Sequence, residues 1–145
     1  MARVQGGNYP EHLFYDVDNQ IWYEPLGGGT IRAGFTPWAA SMMGDVLVFT
    51  PKRIGRDFEK GRSFAVIEGG KWVGSARAAF DGTVLAHNES LIRRPEQLRE
   101  GFGEGWMLIV RTTRADWRDG LVTGTGIIPA FEAWLASNRY EDHTG

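Results

Sequence analysis

At 145 residues the chain has room for one ordinary domain and not for two comfortable ones. An apolar fraction of 42% and a charged fraction of 23% are globular values, which excludes disorder and fibrous repeats. A net charge of −2 gives no electrostatic case for nucleic acid or an anionic membrane, and the longest unbroken apolar run, 106–110, is far too short to span a bilayer. No apolar stretch follows Met1, so a secretory leader is not expected and the cytoplasm is the expected location. Cysteine is absent, which removes disulfides, thiolate nucleophiles, iron–sulfur ligation and cysteine zinc sites. Lysine occurs only as Lys52, Lys60 and Lys71; the other thirteen basic residues are arginine.

In chain order, residues 1–17 read as an N-terminal arm, loosely packed over the first fifteen or so. A hairpin follows, with strands over 20–24 and 30–35 around Leu26-Gly27-Gly28-Gly29. Thr36-Pro37 fits a helix N-cap with proline at the first helical position, and Gly44 fits the stop after Met43. Four short apolar runs, each bounded by turn-forming residues, read as buried strands. They are Val46-Leu47-Val48-Phe49, Phe64-Ala65-Val66-Ile67, Thr83-Val84-Leu85-Ala86 and Met107-Leu108-Ile109-Val110. A further run extends from Trp72 to Phe80. Arg94-Pro95 opens a short helix that ends near Gly101, and a turn lies around Asp116–Leu121 in the residues 116–121. Pro129 can start a C-terminal helix with Phe131, Trp134 and Leu135 on one stripe. No linker marks a boundary, so 1–145 reads as a single domain.

A weak internal echo runs through the chain. Met43-Gly44-Asp45-Val46-Leu47 resembles Phe80-Asp81-Gly82-Thr83-Val84-Leu85, and Gly61-Arg62-Ser63-Phe64 onward resembles Gly103-Glu104-Gly105-Trp106 onward. Two similar β units packed face to face would make a small sandwich or flattened barrel. Glu68-Gly69-Gly70-Lys71 sits where the two units meet.

Gly70-Lys71 invites a phosphate-loop reading, but that motif needs glycine where Ala65 stands and Ser or Thr where Trp72 stands. His12, His87 and His143 lack partners at metal-ligand spacing, so no metal site is expected. Glu96/Glu100 and Glu100/Glu104 lie at helical spacing beside Arg93, Arg94 and Arg99, the pattern of a solvated, salt-bridged face. No nucleophile–base set stands out, and the chain is expected to be non-catalytic. Lys71 differs in setting: it follows a strand end and two glycines that allow positive φ and a tight reversal, so it would project from a hairpin tip within reach of a modifying enzyme. An ordinary turn lysine serving solubility is the plain alternative.

From about residue 20 to 136 the chain resembles the H protein of the glycine cleavage system and related lipoate-binding carriers. Gly34-Phe35-Thr36-Pro37-Trp38-Ala39 with Met43-Gly44-Asp45-Val46 is similar to the family's Gly-Ile-Thr, Ala and Leu-Gly-Asp stretch. Phe49-Thr50-Pro51 with Ile54-Gly55 resembles its strand end and turn, and Glu68-x-x-Lys71 resembles its Glu-Ser-Val-Lys. Asp81-Gly82 stands where the family has Ser-Gly, and Gly103-Glu104-Gly105-Trp106 matches its Gly-Glu-Gly-Trp.

The resemblance implies a mainly β fold, a lipoyl-carrier β-sandwich of two pseudo-twofold-related sheets with short helices in the N-terminal half and at the C-terminus. It implies lipoate amide-linked to Lys71 by a lipoate-protein ligase. The protein then binds and orients, and the tethered group carries cargo at raised effective concentration. Glu68, Gly70 and Trp72 become candidates for ligase or partner recognition; strand-end capping and hairpin packing are the plain alternatives for Glu68 and Trp72. Trp106 reads as core.

The lysine motif departs from the glycine cleavage pattern, because Glu-Ser-Val-Lys-Ala is replaced by Glu68-Gly69-Gly70-Lys71-Trp72-Val73-Gly74. The paired glycines would loosen the approach. Gly-Lys-Trp-Val-Gly is more similar to the lipoate-binding proteins that accompany heterodisulfide-reductase-like sulfur oxidation, which implies an arm carrying sulfur intermediates. That resemblance implies a heterodisulfide-reductase-like complex or dihydrolipoamide dehydrogenase as partner, and a monomer. The alternatives are a glycine cleavage H protein carrying an aminomethyl group and an unmodified interaction domain. Biotin is disfavoured because Gly70 and Trp72 stand where methionines flank a biotinylated lysine.

Overall fold

The computed structural model of the chain describes residues 2–4, 7–42, 44–70 and 73–138, with backbone alone for 2–4, 7, 8 and 138. Strands are its main regular structure, with short helices between them. A two-stranded ribbon joins β1 (Ala2–Val4) to β2 (Gly7–Tyr9). The hairpin around 26–29 forms as expected, pairing β4 (Ile21–Gly27) with β5 (Thr30–Phe35), and Gly27, Gly28 and Gly29 all take positive φ. Those two strands sit inside a seven-stranded sheet with β3 (Phe14–Asp16), β7 (Asp57–Phe58), β10 (Gly82–His87), β11 (Trp106–Arg111) and β12 (Val122–Thr123). Its order is β12-β3-β4-β5-β11-β10-β7.

The second main sheet has three strands, β6 (Val46–Pro51), β8 (Ser63–Gly69) and β9 (Val73–Arg77), with β8 in the centre. The echo maps onto this arrangement. β6 pairs with β8 antiparallel in the small sheet, as β10 pairs with β11 in the large one. All four runs read as strands from the sequence are strands.

Helices are short. α1 (Pro37–Met42) begins as expected: the Thr36 hydroxyl accepts from the Ala39 N–H at 3.3 Å and donates to Gln20 Oε1. Gly44, at φ 72°, supplies the left-handed stop. Pro95 opens a 3-10 helix (Pro95–Glu100), and before it stands α2 (Glu89–Arg93), which is not expected from the sequence. Its N-cap is Asn88, whose Oδ1 accepts from the Ser90 and Leu91 N–H groups. α3 (Ile127–Asn138) starts two residues before Pro129 and buries Ile127, Phe131 and Leu135.

Aromatic side chains fill the core. Phe58 meets Phe64 across the two sheets at 5.3 Å between centroids, Phe80 meets Tyr23 at 5.0 Å and Trp117 at 5.6 Å. Phe131 of α3 meets Tyr9 and Trp38. Tyr9, Leu13 and Tyr15 are buried, so this part of the expected arm is packed rather than loose. Two aromatic rings and a leucine have apolar area enough to be drawn under α3 and the large sheet, which outweighs the ordering cost of the segment. Burial pushes the phenols of Tyr15 and Tyr23 well above their ordinary range. It also raises the Asp16 carboxyl, against the opposing hydrogen bonds from Asn19.

Candidate functional site: the end of the β8–β9 hairpin

β8 and β9 pair antiparallel, and their register closes at Glu68↔Val73. Residues 69–72 make the connection; Lys71 and Trp72 lie outside the described residues. What holds this end is visible on its β8 side. Gly69 pairs with Val46 at the start of β6, and the Gly70 N–H donates to the Asp45 carbonyl at 2.7 Å. A Cβ at Gly70 would meet nothing nearer than 3.9 Å, and its φ lies outside the left-handed region. Gly70 therefore does not supply the positive φ expected of it, and its backbone is tied to the loop after α1 rather than loosened.

The exposed face of the small sheet follows from the two-residue period of its strands. Val48, Glu68 and Val73 lie in one row across β6, β8 and β9, next to the connection; Thr50, Val66 and Ser75 form the next row. Val73 is 68% exposed, Leu47 59% and Val48 42%, so several large apolar side chains stand in solvent around a strand end that also carries the Glu68 carboxylate. The opposite face buries Phe49, Phe64, Ile67 and Ala76. One edge of the sheet, β6, lies against α2 and the 3-10 helix, which fixes the platform to the body of the molecule.

Of the recognition candidates, Glu68 and Gly70 are placed at the hairpin end, and Trp72 falls outside the described residues. Trp106, read as core, is half-buried and packs against the core. Three contributors at this end, Asp45, Leu47 and Val48, are not legible in the sequence. The Asp45 carbonyl anchors Gly70, and no sequence signal gives the partner of a backbone carbonyl. Leu47 and Val48 were read as buried strand residues, whereas a register shift between Val46 and Val48 turns both outward.

Other polar groups gather elsewhere. Lys60, Asp81, Arg114 and Asp116 line a cleft of about 110 Å³, and Arg114 pairs with both Asp116 and Asp81. The hydrogen bond from Arg114 holds the Asp116 carboxyl below its ordinary value. No group of three or more metal-ligating side chains comes together among the described residues, and no helix among them is long and apolar enough to cross a membrane.

Two sheets packed through an aromatic core, with Gly70 and Val73 exposed on either side of the β8–β9 connection, make the architecture of a lipoyl-carrier domain. Residues 13–132 match the family model described as Glycine cleavage H-protein, and the chain belongs to that family. Its members carry lipoate covalently attached to a lysine. Over 138 residues the chain is 31% identical to "Glycine cleavage system H protein 2" of Aquifex aeolicus, covering 93% of this chain and 85% of that one. It is 36% identical over 115 residues to "Glycine cleavage system H protein 5" of the same organism, covering 77% and 78%. "Probable glycine cleavage system H protein 2" of Sulfolobus acidocaldarius is 29% identical over 133 residues, covering 90% and 89%. The fold superimposes on the crystal structure of a glycine cleavage system H protein from Mycobacterium marinum with a TM-score of 0.72, at 21% identity, covering 90% of this chain and 99% of that one.

Proposed function

We propose that this chain is a one-domain lipoyl carrier, modified at Lys71 by a lipoate-protein ligase, that carries an aminomethyl group between the enzymes of a glycine cleavage system. The single observation that carries the reading is the anchored, exposed hairpin end in a family that bears its lipoate on a lysine. Lys71 stands in that connection. The other two lysines do not: Lys52 follows β6 at the far end of the sheet, and Lys60 lies in the turn before β8.

The neighbouring side chains fit such a group. Its hydrocarbon stem and ring are apolar, and Leu47, Val48 and Val73 give an apolar surround that is already exposed. When bound, the group supplies a dithiol that holds and releases cargo. The chain's own contribution is placement. Gly70 and Asp45 fix one root of the connection, and the apolar rows and Glu68 give partner enzymes a face to recognise. Glu68 serves ligase recognition and Trp72 shields cargo or meets a partner. The chain itself acts as substrate for its partners rather than as a catalyst.

The relatives' names support the aminomethyl cargo. A second reading, sulfur intermediates passed to a heterodisulfide-reductase-like complex, draws on one specific observation: Gly70-Lys71-Trp72-Val73-Gly74 replaces the residues usual around the lysine in glycine cleavage. Several numbered H proteins in Aquifex aeolicus are consistent with members of one family serving different cargoes. Reconstitution separates the two. The lipoylated protein is incubated with glycine and purified pyridoxal-phosphate-dependent glycine decarboxylase, and the Lys71 peptide is weighed. An aminomethyl increment is expected; its absence, with sulfur adducts on protein isolated from cells, would contradict the glycine reading and leave the sulfur one.

A further inference from the structure

The two edges of the small sheet differ. β6 lies against α2 and the 3-10 helix, whereas β9 has a ladder to β8 on one side only. The direction of each backbone group on β9 follows from the residue after it. Ala78 turns both its groups toward the β8 side: its N–H donates to the Arg62 carbonyl at 2.9 Å, and its carbonyl accepts from the Gly61 N–H at 2.8 Å. Peptide groups alternate in direction along a strand, so Ala76 and Gly74 also face β8, opposite Ala65 and Ile67. The N–H and carbonyl groups of Val73, Ser75 and Arg77 are left on the outer edge. Among the described residues no other backbone group bonds to them. Gly74, Ser75 and Ala76 are small, and the strand carries neither the proline nor the lysine that commonly blocks edge pairing.

This edge is complementary to itself. In an antiparallel pair of β9 strands with a twofold axis at Ser75, Ser75 faces its own copy and Val73 faces the partner's Arg77. Every outward N–H and carbonyl of both strands is then bonded across the axis. Any other twofold register leaves at least one of Val73, Ser75 and Arg77 unpaired. The side chains agree with this register. Glu68 stands beside Val73 on the exposed face, so each row across the joined sheets runs Glu68, Val73, the partner's Arg77. Two strand spacings separate Glu68 from that arginine by roughly 10 Å between Cα atoms, within the combined reach of the two side chains. The arginine stem lies over the exposed Val73 on the way. Arg77 is free to make this contact, since its one hydrogen bond is from Nη1 to the exposed Gly61 carbonyl at 3.2 Å. A cation at one end of the edge and a carboxylate at the other match an inverted second copy.

We propose that β9 is a self-association edge, through which two copies of this chain join along Val73–Arg77 into one continuous sheet with the twofold axis at Ser75. A strand pair this short buries well under the roughly 1,200 Å² of a standard interface. The dimer is therefore weak and forms at high concentration, and the dilute chain stays the monomer that the family resemblance implies. The β8–β9 connections of the two copies lie on opposite sides of the axis, beyond the paired residues. The inference does not depend on what Lys71 carries.

Sedimentation equilibrium of the purified, unmodified full chain, from micromolar to millimolar concentration, tests the association. The chain has no cysteine, so no disulfide joins unmodified copies; lipoylated wild type is run alongside with its dithiol kept reduced. Amide hydrogen exchange over the same concentrations locates the contact. The expected result is an average mass that climbs toward twice that of one chain. Protection of the Val73, Ser75 and Arg77 amides should rise with it, and that of Gly74 and Ala76 should not. Ser75→Pro removes an outward donor at an edge position that accepts proline, and should weaken association about tenfold or more. Arg77→Glu and Glu68→Arg should each weaken it at low salt, and the double variant E68R/R77E should restore it, because the exchanged charges again meet across the axis. Circular dichroism establishes that each variant is folded; were Ser75→Pro to unfold, the charge exchange and the wild-type amides decide. A wild type that stays monomeric to millimolar concentration, association that leaves the three outward amides unprotected, or a double variant no better than the singles would overturn the proposal. Protection of those amides only by a protein of different sequence would also overturn it, and would assign the edge to a foreign strand.

Discussion

A methyl group at Gly34 would stand 2.6 Å from the Trp22 indole, whose Nε1–H donates to the Phe35 carbonyl at 3.0 Å. Trp22 is fully buried and cannot swing away without losing that bond, and Gly34 lies in β5 opposite it in register. Gly34→Ala should therefore cost about 1–3 kcal/mol, read as a lowered urea midpoint with an unchanged m-value. The glycine was legible in the sequence as the start of a family-like segment, but its reason was not. Spacing does not say which ring crosses which backbone. The same holds at Asp45, where the motif was visible and the carbonyl's partner was supplied only by folding.

The elements were legible wherever composition and period agreed. The 26–29 hairpin, the Thr36-Pro37 helix start and the four apolar runs form as read, because turn glycines, a capping hydroxyl and β-branched runs act locally. β7, β12 and the β1–β2 ribbon were not legible, since strands of two or three residues carry too little pattern and exist through their partners. At the site the decisive element feature is the Gly70–Asp45 bond that closes the β8 side of the hairpin against β6. Gly70→Ala keeps the N–H and meets no clash, so its lipoylation rate with purified lipoate-protein ligase should match wild type. Gly70→Pro removes the donor and should slow the same reaction severalfold while leaving the melting temperature within a few degrees. Equal rates for both variants would show that this anchor does not matter to the ligase.

Across the whole molecule, aromatic contacts connect segments far apart in sequence. Tyr9 near the start meets Phe102 at 5.4 Å and Phe131 of α3 at 6.0 Å, and the Tyr9 hydroxyl accepts from the Trp38 N–H. Such contacts explain why Tyr9, within the segment read as an arm, is drawn into the core: a lone aromatic in a polar stretch gives no periodic signal, and its burial depends on a helix more than a hundred residues away. The two-sheet plan, by contrast, was legible through the internal echo, because each echoed unit is itself an antiparallel pair. The molecule that results is asymmetric at the small sheet, whose β6 edge lies against α2 and the 3-10 helix while its β9 edge is open.

The central claim is that Lys71 bears the lipoyl group. Peptide mass spectrometry on the protein isolated from its own growing cells, under mild and non-reducing conditions, tests it most directly, since Lys52, Lys60 and Lys71 are the only lysines and the readout locates the group among them. The account predicts a lipoyl increment on Lys71 alone, lost in Lys71→Arg with the fold unchanged. A bare Lys71, or lipoyl on Lys52 or Lys60, would contradict it.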